Sequence, residues 1–279
     1  LPFGAFLISP PEESSYLESF DYMDLRFIIS YGFSASLQKE MSEPHTKKPA
    51  KNLLAVAPDF SFTDAGSSKP IAQNIPPPDL DNPAKTAFFE ERLRKFRSEI
   101  SPLLYNIEEA DTILNICGGE ILKGNQATVD SFISVASNYR ILHLSTHGKA
   151  NDENGGFSVL IFKSSDGINY DSLFTIDLYD LKLPADMAVL SACETGIGEL
   201  QRGEGIVSLA RGFTYAGAKS LVTSLWNVSD DAAKTLMTGF YENLKEGMPK
   251  DEALFEAKRQ FLKQPENTDQ LHPFYWTAF

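Results

Sequence analysis

Cys193 ends the apolar run Met187-Ala188-Val189-Leu190-Ser191-Ala192, and His147 ends a second run, Ile141-Leu142-His143-Leu144-Ser145-Thr146. The thiolate, not the thiol, is the nucleophile, and a free cysteine titrates near about 8.5, so the group needs a base beside it. Imidazole is the commonest such base. The residues that follow suit this chemistry. Cys193 opens a polar, glycine-rich stretch beginning Glu194-Thr195-Gly196-Ile197-Gly198, and Gly148 with the polar run 149–156 follows His147. Glycine beside the base lets the backbone approach a bound carbonyl. The N–H groups of Gly148 and Cys193 would then form an oxyanion hole.

The remaining candidates read as structural. Cys117 falls on the apolar stripe of its segment and is expected to be inert. His143 lies inside its apolar run, which marks it as a buried hydrogen-bonding histidine, and His45 and His272 have no supporting context. The stretch Gly212–Ser220 resembles a phosphate-binding loop. However, Ala218 separates Gly217 from Lys219, and the run leads from helix to strand where a phosphate loop leads from strand to helix. Ser145 and Ser191 lack the Gly-x-Ser-x-Gly elbow of a serine hydrolase.

Elements that would position Cys193 and His147 follow from hydrophobic period. Strands are expected at Leu1–Ser9, Leu25–Ile29 and Asn52–Ala57, with a short helix or turn over Gly32–Lys39. Pro58–Pro83, with the triple proline Pro76–Pro78, reads as a long surface loop and the internal boundary. Beyond it, helical stripes run through Phe89, Leu93, Phe96 and Ile100; through Ile107, Ala110, Leu114 and Cys117; and through Val129, Phe132, Ile133 and Ala136. The strand of His143, a hairpin-like strand at Phe157–Phe162 and the strand of Cys193 come next. A helix with Ile206, Leu209, Ala210 and Phe213 leads to a strand at Ser220–Leu225. Ser229 suits the N-cap of a helix carrying Ala233, Leu236, Met237, Phe240 and Leu244, and a last helix holds Leu254, Ala257 and Phe261. Strands alternating with amphipathic helices predict an α/β fold with a mainly parallel central sheet flanked by helices. Each strand end that carries chemistry would meet the crevice such sheets form.

Composition narrows the function classes. A formal net charge of −13 and the lack of a basic stripe argue against nucleic acid and fit a basic partner or substrate. Two cysteines make no disulfide framework, so a reducing, cytoplasmic setting is expected. With four scattered histidines they show no metal-ligand spacing, and no cofactor is expected. No apolar stretch approaches the roughly 20 residues that cross a membrane. The start Leu1-Pro2-Phe3, without an initiator methionine, reads as a cut from a longer chain.

Several segments together resemble the CHAT domain, a separase-like branch of the caspase-type cysteine peptidases. They are His143-Leu-Ser-Thr-His147-Gly148, Leu190-Ser-Ala-Cys193-Glu-Thr-Gly196 and the stretch from Gly203 to Phe213. Gly217-Ala218, Ser224-Leu-Trp226-Asn-Val-Ser-Asp230 and His272-Pro-Phe-Tyr-Trp276 follow in order, and Leu1-Pro-Phe3 and Ile29–Ser36 match the family's opening. His147 precedes Cys193 by 46 residues, near the ~50 of caspases. The resemblance implies a caspase–haemoglobinase-like fold in which 1–83 is a degenerate, pseudo-caspase-like part ending in the Pro-rich loop and 84–279 is the catalytic part. It implies a His147–Cys193 dyad with no cofactor, no third triad residue and a protein substrate. It also implies a place behind tetratricopeptide repeats or an activating partner in a longer protein. In separase-type relatives an acid at the position of Asp230 lines the S1 pocket and selects a basic P1 residue. Asp231 is its neighbour, and Glu194 is a further candidate for the cleft. Asp230 and Asp231 equally suit the first turn of the Ser229-capped helix, where acids complement the dipole. The expected function is thus a cysteine endopeptidase cleaving after Arg or Lys. A non-catalytic scaffold and a hydrolase of small amides are the alternatives.

Overall fold

The computed structural model describes residues 26–29, 39, 41–43, 45, 48–60, 100, 102–149, 155–191, 204–226, 228–265 and 267–279. Its elements run β1 (Lys51–Ala57), α1 (Asn106–Cys117), β2 (Glu120–Lys123), α2 (Val129–Val135), β3 (Tyr139–Leu144), β4 (Gly148–Lys149), β5 (Val159–Lys163) and β6 (Tyr170–Phe174). They continue α3 (Thr175–Leu178), β7 (Met187–Leu190), α4 (Glu204–Ala216), β8 (Leu221–Thr223), α5 (Asp230–Lys245) and α6 (Lys250–Lys263).

Continuous apolar runs become strands covered on both faces, the situation of parallel sheets. Leu53 to Ala57 are all buried, as are all four residues of β7. Five strands form one parallel sheet in the order β2-β1-β3-β7-β8. Alternation along the strands divides the core. Val56, Leu142, Leu144 and Leu190 meet Phe132 of α2, Leu178 of α3 and Phe213 of α4. Ala55, Met187 and Val189 meet Ile113 of α1, Leu236 and Phe240 of α5, and Phe261 of α6. Fully burying one such Leu or Phe contributes about 1.5–3 kcal/mol, so each helical layer is held by several of these. The expected α/β architecture, a mainly parallel sheet flanked by helices, is what the chain forms.

A second, antiparallel sheet, β4-β5-β6, hangs from the end of β3 and carries its own small cluster with Phe60, Val159, Ile161 and Tyr170. β1 belongs to the segment 1–83, yet it sits between β2 and β3 of the later segment, so the central sheet draws on both.

Residues 26–29 differ from expectation. They form a turn and not a strand, with Phe27 and Ile28 exposed, so nothing there supplies the cover that a strand face needs. Ser229 does occupy the N-cap of α5, but its side chain makes no capping bond. The expected strand Leu1–Ser9, the helix or turn at 32–38, the loop from 61 to 83 and the stripe from Phe89 to Phe96 lie outside the described residues. No helix among the described residues is long and apolar enough to cross a membrane.

Candidate active site

All five parallel strands end on one edge, β2 at Lys123, β1 at Ala57, β3 at Leu144, β7 at Leu190 and β8 at Thr223. β2 lies on one side of β1 and β3 on the other, so the winding reverses between β1 and β3. Open parallel sheets bind ligands outside the carboxyl ends at such a reversal. Here the exits of β1 and β3 are tied together. Asn106, at the start of α1, donates from Nδ2 to the carbonyls of Pro58 at 2.8 Å and Ser145 at 3.2 Å.

His147 leaves β3 through this junction. The Ser145 N–H still reaches the Val56 carbonyl, at 2.9 Å, after which the chain turns toward the second sheet. Thr146 Oγ1 donates to the Ile161 carbonyl, and the Ile161 N–H donates to the His147 carbonyl at 2.9 Å. The imidazole packs edge-on against Phe60, with ring centroids 4.6 Å apart. At 1% exposure His147 is buried.

The ladder orients Gly148. His147 and Ile161 form a hydrogen-bonded pair, and antiparallel pairs alternate, so Gly148 and Leu160 are a non-bonded pair. The Gly148 N–H therefore points away from β5.

Cys193 and Glu194 lie outside the described residues, and the chain is described up to Ser191. The register there is informative. Leu144 pairs with Leu190 and Ile141 with Met187, so partners on β3 and β7 stand 46 residues apart, the same interval that separates His147 from Cys193. The Ser191 N–H continues the pairing to the Leu144 carbonyl at 3.0 Å.

Asp230 and Asp231 occupy the first turn of α5, which starts on the same edge after β8. Asp230 Oδ2 accepts from the Leu104 N–H at 3.0 Å, and Asp231 Oδ2 accepts from Gln270 Nε2 at 3.0 Å. Two strand spacings, roughly 10 Å, separate the lines of β3 and β8.

His143 is structural, as its run implied. Its imidazole is fully buried between layers, with Nε2 2.9 Å from Glu109 of α1 and Nδ1 3.2 Å from the Tyr241 hydroxyl of α5. Burial first, then Cys117 and Glu109 nearby, push the Tyr241 hydroxyl well above its usual range. The phenol therefore stays protonated and donates to Nδ1, which assigns the ring proton to Nε2 and directs it at Glu109. Cys117 packs against the same core layer, where burial raises its thiol above the usual range and Lys245 only partly opposes this.

The glycines of the phosphate-loop lookalike have packing reasons. At Gly212 a Cβ would stand 2.9 Å from side-chain atoms of Leu178 and Thr175, where α3 crosses α4. Gly217 follows α4 at φ +118°, a conformation that favours glycine.

Sequence reasoning missed Phe60, Asn106, Lys163 and Tyr170, all of which surround the exit of β3. Lys163 is buried, donates from Nζ to the Asp59 carbonyl at 3.3 Å, and lies over the Tyr170 ring at 4.5 Å. A lysine closing the apolar run Val159-Leu-Ile-Phe was the available signal; Phe60 carried none.

Comparisons with known proteins follow this architecture. Tetratricopeptide repeat protein 28 of Homo sapiens is 26% identical over 205 residues, covering 62% of this chain and 8% of that protein. Tetratricopeptide repeat protein 28 of Mus musculus is 32% identical over 108 residues, covering 38% of this chain and 4% of that protein. The chain thus spans less than a tenth of the length of these relatives. Among solved structures it is similar to the Arg specific cysteine proteinase gingipain R, with a TM-score of 0.47 and 10% identity over 86% of this chain and 50% of that one. A complex of Porphyromonas gingivalis RgpB pro- and mature domains gives a TM-score of 0.43 and 12% identity, over 81% of this chain and 46% of that one. The CHAT domain family model matches residues 1–279, and the chain belongs to the CHAT domain family.

Proposed function

We propose that this chain is a cysteine endopeptidase whose dyad is His147 and Cys193. The supporting observation is the register of β3 and β7. His147 and Cys193 follow registered partners, Leu144 and Leu190, at equal intervals, and the strands they leave are neighbours about 4.8 Å apart. In this reading His147 takes the thiol proton, and the Cys193 thiolate adds to the scissile carbonyl. The N–H groups of Gly148 and Cys193 hold the oxyanion, and the imidazolium then protonates the leaving amine. Water, deprotonated by His147, hydrolyses the thioester and restores the thiol.

Asp230, with Asp231 and Glu194 as neighbours, supplies the negative charge that selects a basic P1 residue. Asp230 stands in the first turn of α5, on the carboxyl edge of the sheet, where its carboxylate accepts from the Leu104 N–H. Segments 1–83 and 84–279 act as pseudo-caspase-like and catalytic parts of a caspase–haemoglobinase-like protein, working in the cytoplasm under a tetratricopeptide-type region or an activating partner. Covering of His147 favours the second reading, a silent scaffold. A fluorogenic peptide library varied at P1 separates them. Cleavage after Arg or Lys is expected, lost in Cys193→Ala and stripped of its basic preference in Asp230→Ala. Equal cleavage after uncharged residues would overturn the pocket. Failure of an electrophilic peptide to label Cys193 would favour the scaffold.

A further inference from the structure

We propose that Phe60, backed by Tyr170 and Lys163, is the positioning residue for the His147 imidazole, a task that a carboxylate performs in a triad. The inference rests on the His147–Cys193 reading and adds to it what orients the base. An imidazole on a flexible side chain must be held within tight angular limits for proton transfer, and a third group usually does so.

The short segment after β1 is fixed residue by residue. The Pro58 carbonyl accepts from Asn106, the Asp59 carbonyl accepts from Lys163, and the Phe60 ring stacks on Tyr170 with centroids 5.2 Å apart. Phe60 then presents its ring to His147 at an interplanar angle of 75°. Edge-to-face geometry of this kind is favourable and directional. The backbone of His147 is pinned separately, through its carbonyl to Ile161. With the backbone held on one side and the ring on another, rotation of the imidazole is restricted.

Lys163 ties the segment after β1 to the Tyr170 ring. A buried ammonium is costly unless its surroundings compensate it. This one compensates through the Asp59 carbonyl and the face of Tyr170, a cation–π contact that holds both layers of the stack. Tyr170 is itself 6% exposed, and its hydroxyl is raised by burial first and by Asp59 second, so it stays neutral under the ammonium.

The test uses the full-length protein and two variants, Phe60→Leu, which keeps an apolar side chain but loses the ring, and Lys163→Met, which keeps length but loses charge. For each, three quantities are read: thermal melting, kcat and KM on the preferred peptide, and the order of the His147 ring by NMR with labelled histidine. The expected result is a kcat lowered about 10–100-fold with KM little changed in Phe60→Leu, the scale of a modest misplacement of a catalytic group. A more mobile His147 ring in that variant, and a smaller effect of the same kind in Lys163→Met, complete the expectation. The pH profile of Cys193 alkylation should move toward that of a free thiol. Unchanged kcat and an equally ordered ring in Phe60→Leu would overturn the proposal. A wild-type protein that neither hydrolyses peptides nor labels at Cys193 would refute the peptidase reading instead, and ring order would still report on Phe60. If Phe60→Leu melts far below the wild type, Lys163→Met decides by the same readouts.

Discussion

Tyr241→Phe removes one oxygen atom from the fully buried His143 network and nothing else. The ring edge that Tyr241 presents to His143, with centroids 5.4 Å apart, is kept, and phenylalanine fills the same space. What is lost is the donor to Nδ1. Neither His143 nor Tyr241 is exposed to solvent, so Nδ1 is left as a buried acceptor with no water to replace the phenol. Such a group costs about 1–3 kcal/mol. In larger domains each kcal/mol lowers Tm by about 2–4 °C, so a fall of several degrees is expected. Urea denaturation followed by far-UV circular dichroism should show a lower midpoint at unchanged slope, the signature of lost stability without a changed unfolded state.

A second substitution sharpens the test. Glu109→Gln keeps an acceptor for the Nε2 proton but removes the charge. Because both partners act on one ring, Tyr241→Phe and Glu109→Gln should be non-additive by about 0.5–3 kcal/mol. Peptide hydrolysis should be untouched by Tyr241→Phe at temperatures where the variant is folded. Wild-type stability, or strict additivity of the pair, would refute the structural assignment of His143. Loss of hydrolysis at full stability would make this histidine, and not His147, the one involved in chemistry.

Two further expectations concern titration. The Cys117 thiol is pushed up by burial, so iodoacetamide at neutral pH should modify Cys193 and spare Cys117 until the protein is unfolded; peptide mapping that finds Cys117 modified first would contradict this. Asp166 is held below the usual carboxylate range by the N–H groups of Asn169 and Ile168 and by the Asn169 amide. A depressed folded value gives stability above the unfolded value, near about 3.9, which is lost as pH falls through the folded value. The Tm gap between wild type and Asp166→Asn should therefore be open at neutral pH and close in acid, and a gap that widens in acid would refute it.

Strands were legible because burial on both faces writes a continuous apolar run, as in Leu53–Ala57 and Met187–Leu190. Helices were legible where one stripe is apolar, as in α1 and α5. Pairing was less so. Nothing in the run Lys51–Ala57 says that it lies between β2 and β3, because that choice is made by partners far along the chain. The interval between His147 and Cys193 equals the 46-residue offset of β3 and β7, which the sequence shows but could not explain before the two strands were known to be neighbours. Ser229 shows the opposite case. Its type and place fit a cap, yet its side chain makes no capping bond, and Asp230 beside it bonds the Leu104 N–H, a contact no local pattern encodes.

The two histidines of the β3 segment show why position in the run mattered more than residue type. His143 and His147 are four residues apart, so in an uninterrupted strand both side chains would face the layer of α1 and α5. The strand stops at Leu144. Ser145 keeps one ladder bond to β1, and Thr146 then hands the chain to β5, so His147 packs against Phe60 in the small cluster of the second sheet. One histidine is locked between helices by Glu109 and Tyr241, where both ring nitrogens are engaged. The other is carried past the end of the sheet to the point where the winding reverses. Proline at 145, which has no N–H for Val56, or a residue at 146 without a hydroxyl for Ile161, would weaken that exit. The placement of His147 therefore depends on the backbone of residue 145 and on the hydroxyl of Thr146.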